Sequence, residues 1–326
     1  MRMYSTPDGA LYQVWAPAKI NLFFEVLGKR PDGYHDIETL VAPISLYDRL
    51  EFFVDFDSEP GVSLQIFDSL GRPEPSIPAD DTNLVAKAYH VFCAEIRKAS
   101  SQNKLFNIRA KIFKKIPSKA GLGGGSSDAL AALSVFNTIS GHFFSKSELS
   151  ELAGRLGSDV PLFLEDGASI GRGRGELVEP FDLPELWTVV VKPKFGLSTP
   201  DVYRRHSSVS HSERRSLEDV LSAIGGYKGD DVASLVAGLI SNRLEESASS
   251  LWDGVARWKS VLESTEGALA AQMTGSGTAF FALYPNESAA IGARSSICAL
   301  VNQDSSELLQ IEDVFVAKTL TTSVQP

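Results

Sequence analysis

Residues 116–128 read IPSKAGLGGGSSD, with four glycines directly before a stretch of helical periodicity. Glycine has no Cβ, so this backbone can approach an anion closely and point several N–H groups at it. A helix start adds about half a positive charge. Apolar spacing predicts a strand over Phe106–Ile112 before the turn and a helix over Ser126–Ile139 after it. The sequence therefore predicts a strand, a glycine turn and a helix that together bind a polyphosphate.

Two common phosphate-binding motifs are absent from this glycine turn. It lacks G-x-x-x-x-G-K-[ST], which excludes a P-loop nucleotidase, and Gly121-x-Gly123-x-x-Ser126 lacks the third glycine of a dinucleotide fingerprint. Ser126 and Ser127 can cap the helix and offer hydroxyls to a phosphate or to Mg²⁺. A turn that binds nothing remains the alternative, since glycine-rich turns also join strands to helices without a ligand.

The composition is that of a folded, enzyme-sized protein. The chain has 326 residues, which favours two domains because single cores stop growing near about 250–300 residues. Hydrophobic residues make up 43% and charged residues 22%, both ordinary for a globular protein. The formal net charge of −10 argues against a nucleic-acid or anionic-membrane binder, because those need a basic face.

Cysteine usage and hydropathy favour a cytoplasmic location. Cys93 and Cys298 each lie in an apolar stretch and are interpreted as small buried hydrophobes rather than a disulfide. Met1–Gln13 lacks an export signal, and no segment reaches about 18 apolar residues. We expect a monomer or weak homodimer without membrane or nucleic-acid partners.

The remaining elements follow from periodicity and turn residues. Strand signals lie at Leu11–Leu27, as short strands around a bend at Pro17, and at Arg49–Phe56, Val62–Phe67, Trp187–Val191 and, as a pair with a glycine turn, Ala271–Tyr284. Helical signals lie at Leu84–Lys98, capped by Thr82 or Asn83, and at Leu217–Ile224, Val232–Leu244 and Leu251–Glu263.

Two stretches are typical of irregular surface segments. Asp68–Asp81 is rich in Pro, Gly, Asp and Ser and predicts an exposed loop, to which the sequence assigns no role. Arg204–Ser216 is dense in Ser, Arg and His without apolar periodicity and predicts a flexible segment. We expect its His206 and His211 to be solvated, because no carboxylate or Cys lies at ligand spacing.

Three separated motifs carry a family resemblance. In chain order they are APAKINL at Ala16–Leu22, the glycine turn, and MTGSG at Met273–Gly277. On these motifs the chain resembles the superfamily of galactokinase, homoserine kinase, mevalonate kinase and phosphomevalonate kinase. Within it, RPDGYHDIET at Arg30–Thr39 and GSDVP at Gly157–Pro161 resemble the 4-diphosphocytidyl-2-C-methyl-D-erythritol kinases. The joint occurrence of these motifs in this order is more specific than any one of them.

The resemblance implies an α+β, two-domain small-molecule kinase fold. Residues 1–181 would form an N-terminal α/β ATP-binding domain, and residues 182–326 a C-terminal ferredoxin-like substrate domain. The implied reaction transfers the γ-phosphoryl group of ATP, with Mg²⁺, to the 2-hydroxyl of 4-diphosphocytidyl-2-C-methyl-D-erythritol. It yields the 2-phosphate and ADP, a step of the non-mevalonate isoprenoid pathway.

The resemblance implies two catalytic residues, Lys19 and Asp159. Asp159 would be the base near the attacking hydroxyl, and Lys19 its cationic neighbour, offsetting charge on the transferred group. Local sequence alone favours a helix start at Ser158 or Asp159 before Pro161 over a base, and the two roles are compatible. The alternative for Lys19 is a solvated lysine.

The resemblance also implies residues for both small molecules. The expected ATP-binding residues are Asn83, Leu84, Lys114, Pro117, Gly121, Leu122, Gly123, Gly124, Gly125, Ser126 and Ser127. The expected acceptor-binding residues are Asn21, Tyr34, His35, Thr199, Tyr203, Gly275, Ser276 and Gly277. Tyr34 and Tyr203 would clamp the cytosine, His35 would hydrogen-bond it, and Asn21 would hold the methylerythritol hydroxyls.

Simpler interpretations of these residues stay open. Tyr34 and His35 also suit the residues after a turn, and a hairpin turn accounts for Gly275–Gly277. Lysines at a strand end, such as Lys114, are usually solvated. Asp128 is expected to point away from the nucleotide and to cap the helix.

Two other functions remain open at this point. One is a sibling kinase for homoserine, mevalonate or a sugar, which the aromatic Tyr203 disfavours because those substrates carry no base to stack. The other is a nucleotide-binding protein that has lost catalysis, which the presence of both Lys19 and Asp159 disfavours.

Overall fold

A computed structural model describes residues 1–99, 105–208, 213–229, 231–303 and 307–321. The chain forms two compact units. Unit 1 comprises Met1–Ala18, Leu46–Ile116 and Gly123–Leu164, and unit 2 comprises Lys19–Ser45, Pro117–Leu122 and Glu165–Pro326. The units interleave along the chain, and the single boundary after residue 181 remains a prediction.

Unit 1 combines strands with three α-helices among its described residues. Its elements are β1 (Arg2–Ser5), the first part of β2 (Leu11–Lys29), the second part of β3 (His35–Asp55), β4 (Gly61–Asp68), α1 (Leu84–Ala99), β5 (Asn107–Lys114), α2 (Gly124–Ile139), α3 (Lys146–Leu156) and a 3-10 helix at Pro161–Phe163. Strand β5 lies between antiparallel β3 and parallel β4, and β1 pairs with the start of β2. The predicted order of strand, glycine turn and helix is confirmed.

Helix α1 shows how the sequence specifies this unit. Its buried residues recur at helical spacing and include Ala88, Phe92 and Ile96, so one face joins the core while the other stays polar. Asn83 caps the helix, because its Oδ1 accepts a hydrogen bond from the Val85 N–H at 2.9 Å. The unit's aromatic core also includes Phe136 from α2.

The Asp68–Asp81 loop is mostly exposed, as predicted, and it folds back along β4. The Glu74 N–H donates to the Ile66 carbonyl at 3.0 Å, and Phe67 forms an isolated antiparallel bridge with Pro73. Asp68 fixes the turn by accepting from the Leu70 and Arg72 N–H groups, each at 2.9 Å. Since β4 is the last strand of its sheet, the loop covers part of an open strand edge.

Unit 2 contains the ferredoxin-like sheet. Its elements are the second part of β2, the first part of β3, β6 (Ser169–Gly173), β7 (Leu177–Pro180), β8 (Trp187–Pro193), α4 (Thr199–His206), α5 (Leu217–Gly225), α6 (Val232–Leu239), β9 (Ser241–Asn242), α7 (Leu244–Ser249), α8 (Gly254–Glu263), β10 (Ala270–Met273), β11 (Phe280–Tyr284), α9 (Glu287–Gln303), a 3-10 helix at Glu307–Leu309 and β12 (Ile311–Lys318). The order β10-β11-β8-β12, with every neighbouring pair antiparallel, is that of a split β-α-β-β-α-β unit. The predicted α+β class with a ferredoxin-like part is confirmed.

The predicted bend at Pro17 is wrong, because β2 runs unbroken from Leu11 to Lys29. The Lys19 N–H donates to the Leu122 carbonyl and the Asn21 N–H to the Thr274 hydroxyl, at 2.9 and 3.1 Å. These partners belong to loops, so in the described part of the chain loops rather than a strand face this side of β2 near Pro17. Backbone N–H groups two residues apart point the same way, and Pro17 therefore removes no ladder bond.

Other expectations fail where tertiary contacts override local pattern. The predicted helix Val232–Leu244 ends at Leu239, because Ser241 and Asn242 pair in parallel with β2. The predicted helix Leu251–Glu263 begins only at Gly254. The unpredicted α3 has a clear local signal, since Ser145 and Glu148 form a capping box.

The predicted flexible segment Arg204–Ser216 begins inside helix α4. His206 ends that helix and is buried, with Nδ1 3.4 Å from the Ser247 hydroxyl, so the prediction of a solvated His206 is wrong. Helix α4 is mostly polar, and only Val202 and His206 of its eight residues are buried, so the sequence carried little apolar pattern there. His211 lies outside the described residues.

Candidate functional site

The glycine turn has a backbone that only glycine supports at two positions. Gly121 and Gly123 have φ of +73° and +71°, in the left-handed region. A Cβ on Gly121 would lie 2.3 Å from the Thr274 carbonyl oxygen, within unit 2. A Cβ on Gly124 would lie 3.0 Å from Ile116 Cγ2, within unit 1. Glycine is therefore required at position 121 by the chain's own packing, and a side chain at position 124 would force Ile116 to shift.

Gly125 differs from the other glycines of the turn. It is exposed in the first turn of α2, and, its own helix and chain neighbours aside, the only atom of the described residues within 4 Å of an added Cβ is Leu84 Cδ1 at 3.7 Å. The fold itself would accept alanine there. The structure thus brings Leu84 and Gly125, two predicted ATP-binding residues, side by side in unit 1.

The predicted serine caps are wrong. Helix α2 begins at Gly124 after the N-cap Gly123, which makes no side-chain cap bond, so Ser126 and Ser127 lie inside the first turn. Ser126 is partly exposed, whereas the Ser127 hydroxyl is buried and has no hydrogen-bond partner in the described part of the chain. The N–H groups of Gly124, Gly125 and Ser126 donate no hydrogen bond to any described residue. Unpaired N–H groups at a helix start attract anions.

Lys114 lies in a buried charged triad with Asp48 and Asp128. Its ammonium donates to Asp48 Oδ2 and, at 2.6 Å, to Asp128 Oδ2. The expectations that Lys114 is solvated and that Asp128 caps α2 are therefore wrong. Asp128 lies within α2 and bonds back to the end of β5, an arrangement that single-sequence spacing does not reveal. The predicted contact of Lys114 with ATP remains a prediction.

Asp48 ties the triad to the chain that enters the glycine turn. Its Oδ1 accepts hydrogen bonds from the backbone N–H groups of Lys115 and Ile116, at 2.6 and 2.8 Å. The Asp48 side chain has no exposed surface. Sequence reasoning missed this residue because its role depends on pairing across the sheet.

The two triad carboxylates share one ammonium, and this affects their protonation. Burial raises the pKa of Asp128 to about 7, the negative charge of Asp48 adds to the rise, and Lys114 opposes it. Burial alone would lower the pKa of Lys114, but the two carboxylates outweigh it and raise that pKa above its ordinary value.

Asp128→Asn should weaken the pH dependence of stability near neutrality. A carboxyl whose folded pKa lies above its unfolded value stabilises the fold at low pH, and that contribution is lost as pH rises through about 7. Between about pH 5.5 and pH 8 the wild-type free energy of unfolding should fall by about 1–2 kcal/mol more than that of the variant. Urea unfolding at both pH values measures the difference.

Asp80→Asn is the matched control, because Asp80 is exposed and its pKa is lowered by hydrogen bonds to Thr82. This control should retain the wild-type pH dependence. Parallel pH profiles for wild type and Asp128→Asn would contradict the assignment.

Lys19 and Asn21 lie together on β2 in unit 2. The Lys19 ammonium donates to Asn21 Oδ1 at 2.6 Å, and Asn21 Nδ2 donates to the Thr39 hydroxyl at 2.9 Å. Both residues are buried, which excludes a solvated Lys19. Asn21 thus orients the ammonium, and its contact with the acceptor remains a prediction.

The Met273–Gly277 turn lies against these two residues. The Thr274 hydroxyl donates to Asn21 Oδ1 at 3.1 Å. A Cβ on Gly275 would lie 3.4 Å from both Lys19 Nζ and Asn21 Oδ1. The Thr199 and Ser276 hydroxyls are 2.6 Å apart, so two more predicted acceptor residues meet in this unit.

The predicted cytosine residues also lie in unit 2. The rings of His35 and Tyr203 have centroids 4.8 Å apart and an interplanar angle of 32°. His35 Nε2 lies 3.2 Å from the Ser207 hydroxyl. Partial burial, with the charge of Lys29 adding to it, lowers the pKa of His35 and favours the neutral ring.

Tyr34 presents a half-exposed ring beside Arg174. The Arg174 guanidinium lies over that ring, 5.1 Å from its centroid. Sequence reasoning did not single out Arg174, which sits in the turn between β6 and β7 and hydrogen-bonds Glu176. No local signal separates this arginine from an ordinary surface residue.

Asp159 lies in unit 1, in the turn after α3, and is partly exposed. The helix that follows is a single 3-10 turn, Pro161–Phe163, whose N-cap is Val160. Asp159 is therefore not the cap residue, which removes the main structural alternative for it.

The described residues contain neither a cluster of metal ligands nor a membrane-spanning helix. Within the described ranges, no group of three or more His, Cys, Asp or Glu side chains could hold a metal ion. In the same part of the chain, no helix has the length and apolar content needed to cross a membrane.

Comparison with known proteins defines the class first. The chain matches the GHMP kinases N terminal domain over residues 83–167 and the GHMP kinases C terminal domain over residues 231–303. A crystal structure of homoserine kinase from Cytophaga hutchinsonii aligns with a TM-score of 0.71 at 18% identity, covering 98% of each chain, which shows the fold. These findings confirm the predicted superfamily of ATP-dependent small-molecule kinases.

Nearer relatives narrow this class. A 4-diphosphocytidyl-2-C-methyl-D-erythritol kinase from Pelotomaculum thermopropionicum is 41% identical over 82% of this chain and 87% of its own length. One from Protochlamydia amoebophila is 35% identical over 83% and 84%. A crystal structure of 4-(cytidine 5'-diphospho)-2C-methyl-D-erythritol kinase aligns with a TM-score of 0.70 at 30% identity, covering 94% and 99%. The chain belongs to the 4-diphosphocytidyl-2-C-methyl-D-erythritol kinase family.

Proposed function

We propose that the chain transfers the γ-phosphoryl group of ATP to the 2-hydroxyl of 4-diphosphocytidyl-2-C-methyl-D-erythritol. The products are the 2-phosphate and ADP, and the step serves isoprenoid synthesis by the non-mevalonate route. The observation that carries the proposal is the ring pair of His35 and Tyr203, 4.8 Å apart in the same unit as Lys19 and Asn21. A base-stacking surface suits a cytidyl substrate and has no use for homoserine or mevalonate.

ATP is the substrate assigned to the glycine turn. The N–H groups at the start of α2 point a partial positive charge at the triphosphate. Gly125 supports this assignment, because the chain's own packing gives no reason for glycine there while a phosphate approaching the backbone does. Leu84, beside Gly125, would border the adenine, as would the cap residue Asn83.

Mg²⁺ would be held mainly by the phosphates of ATP, with few protein ligands. Of the two serines of the turn, Ser126 is partly exposed and Ser127 is buried, so Ser126 fits the role of a hydroxyl ligand. When bound, the ion neutralises charge on the phosphates during transfer.

The acceptor would bind to unit 2. Its cytosine would stack on Tyr203 and Tyr34 and hydrogen-bond His35, whose neutral ring offers one donor and one acceptor. Its methylerythritol end would approach Asn21 and the backbone of Gly275 and Gly277, with Thr199 and Ser276 beside them.

The chemistry needs one base and one cation. Asp159 would accept the proton of the 2-hydroxyl as its oxygen bonds to the γ-phosphorus, while the bond from that phosphorus to the β,γ-bridging oxygen breaks and ADP leaves. Lys19 would offset the negative charge on the transferred group. Asn21 orients the Lys19 ammonium, because Lys19 Nζ donates a hydrogen bond to Asn21 Oδ1 at 2.6 Å.

Three further features of this proposal rest on the sequence. We propose the kinase as a cytoplasmic monomer or weak homodimer. Both cysteines are free thiols, and Cys93 is buried as predicted whereas Cys298 is only partly buried. We also retain the division into an N-terminal ATP-binding domain, residues 1–181, and a C-terminal substrate domain, residues 182–326, with Asn21, Tyr34 and His35 of the N-terminal part belonging to unit 2. Sedimentation measurements would test the oligomeric state.

Gly125→Ala should weaken ATP binding without weakening the fold. A methyl group there obstructs a phosphate near the backbone, and alanine in a helix is about 0.5–1 kcal/mol more favourable than glycine. We expect the ATP dissociation constant to rise at least about tenfold, equivalent to about 1.4 kcal/mol, while Tm stays equal or rises. Calorimetric titration with ATP and thermal melts give both values.

Gly121→Ala is the contrasting variant. Its Cβ would meet the Thr274 carbonyl at 2.3 Å, so this variant should lose Tm. Unchanged ATP affinity in a stable Gly125→Ala protein would contradict the proposed role of Gly125 in binding the ATP phosphates.

Asp159→Asn should lower kcat by at least about 100-fold, since general-base catalysis contributes typically about 10²–10⁴-fold. Asparagine has nearly the same shape as aspartate, but it cannot take the proton. Coupled ADP-release assays give kcat, and calorimetric titration should show ATP affinity close to wild type. A wild-type kcat in the Asp159→Asn variant would contradict the assignment of Asp159 as the catalytic base.

Tyr203→Ala should raise KM for the cytidyl acceptor about 5- to 150-fold and spare KM for ATP. The reason is the loss of one base–aromatic stack, which is worth about 1–3 kcal/mol. Tyr203→Phe keeps the ring and should stay near wild type. Equal acceptor KM in Ala and Phe variants would argue against stacking.

A further inference from the structure

The Met273–Gly277 turn is held from outside by one side chain that sequence reasoning placed inside a helix. Asn242 Nδ2 donates to the Met273 carbonyl at 2.7 Å and to the Gly275 carbonyl at 2.8 Å. These carbonyls flank Thr274, whose hydroxyl meets Asn21. The Asn242 amide thus fixes the backbone on both sides of Thr274, the residue that contacts Asn21 on β2.

The orientation of the Asn242 amide is set by its other end. Asn242 Oδ1 accepts from the Leu244 N–H at 3.0 Å, at the start of α7. The Nδ2 group must then face the turn, because only a donor can satisfy two carbonyl oxygens. Asn242 itself is anchored by β9, which pairs with Phe23 and Phe24 on β2, shortly after Asn21.

A second side chain of the same segment reaches the same turn. Glu245 Oε2 accepts from the Met273 N–H at 2.9 Å, and its Oε1 accepts from Lys259 Nζ at 2.6 Å. The Asn242–Glu245 segment therefore grips both the N–H and the carbonyl of Met273. The turn that these contacts hold lies close to the Lys19 ammonium, since a Cβ on Gly275 would lie 3.4 Å from Lys19 Nζ.

We infer that Asn242 is a positioning residue for phosphoryl transfer: it holds the Met273–Gly277 turn against Lys19 and Asn21. The inference rests on the proposed function, because it assigns the turn to the acceptor side of that reaction. Asn242 touches no reacting atom. It acts through the turn, so we expect its loss to affect acceptor use far more than the N–H groups at the start of α2, which lie in unit 1.

Asn242→Asp isolates the two donated hydrogen bonds. Aspartate keeps the acceptor for the Leu244 N–H but faces the Met273 and Gly275 carbonyls with an oxygen. We expect kcat/KM for 4-diphosphocytidyl-2-C-methyl-D-erythritol to fall about 10- to 100-fold, since each lost bond leaves a carbonyl unpaired, while the ATP dissociation constant stays within about twofold. Amide hydrogen exchange in the Thr274–Gly277 peptide should become faster.

Asn286→Asp is the matched control in the same unit. Asn286 is exposed and accepts from the Ala289 N–H at 3.0 Å, a bond that aspartate retains. This variant should match wild type in every measurement. Asn242→Ala, which places no charge against the carbonyls, should show the same loss in acceptor use and serves if Asn242→Asp does not fold.

Several outcomes would overturn the inference. One is wild-type kcat/KM in both Asn242 variants, and another is unchanged hydrogen exchange in the 274–277 peptide. A third is an equal loss of ATP and acceptor binding together with a lower Tm, because that result would indicate a purely structural role for Asn242. If wild-type protein binds ATP but does not phosphorylate the acceptor, the proposed function fails. The exchange comparison then still decides whether Asn242 holds the turn.

Discussion

The burial of Asp48 is the constraint on which unit 1 depends. A carboxylate with no exposed surface is costly unless every charge around it is matched. Here it accepts hydrogen bonds from the Lys114 ammonium and from the N–H groups of Lys115 and Ile116, which fix the chain that leaves β5. Gly124 lies close to Ile116, where only glycine fits without adjustment. Asp48 and Asp128 thus join the end of β5 to α2 through the shared Lys114 ammonium.

Unit 2 positions its buried lysine through a chain of polar groups. The Lys19 ammonium donates to the amide oxygen of Asn21, and Asn21 in turn depends on Thr39 and Thr274 for its orientation. A buried polar group that loses its hydrogen-bond partner costs about 1–3 kcal/mol. This connected set explains why three motifs far apart in sequence occur together. Within unit 2, parts of all three meet, through the Lys19 N–H bond to the Leu122 carbonyl and the contact of Thr274 with Asn21.

The features that could be predicted from sequence are those that depend on local chemistry. The glycine turn between a strand and a helix, the capped helix α1 and the exposed Asp68–Asp81 loop were all predicted from neighbouring residues, and the family resemblance supplied the fold class. The errors concern residues whose roles depend on distant partners. Pro17 is tolerated because loops, not a strand, face it; Asp128 pairs with Lys114 rather than capping α2; His206 is buried because α4 packs on α7. Spacing along one chain carries no information about such partners.

The loop over β4 has a consequence for handling the protein. An open strand edge is a template onto which another chain can add, and natural proteins block such edges. Residues 72–74 occupy part of this edge through the Glu74 to Ile66 hydrogen bond and the bridge between Phe67 and Pro73. Deleting this surface loop, which contains none of the proposed site residues, would expose the apolar Ile66 strand to intermolecular pairing, and the shortened protein would be expected to aggregate on concentration.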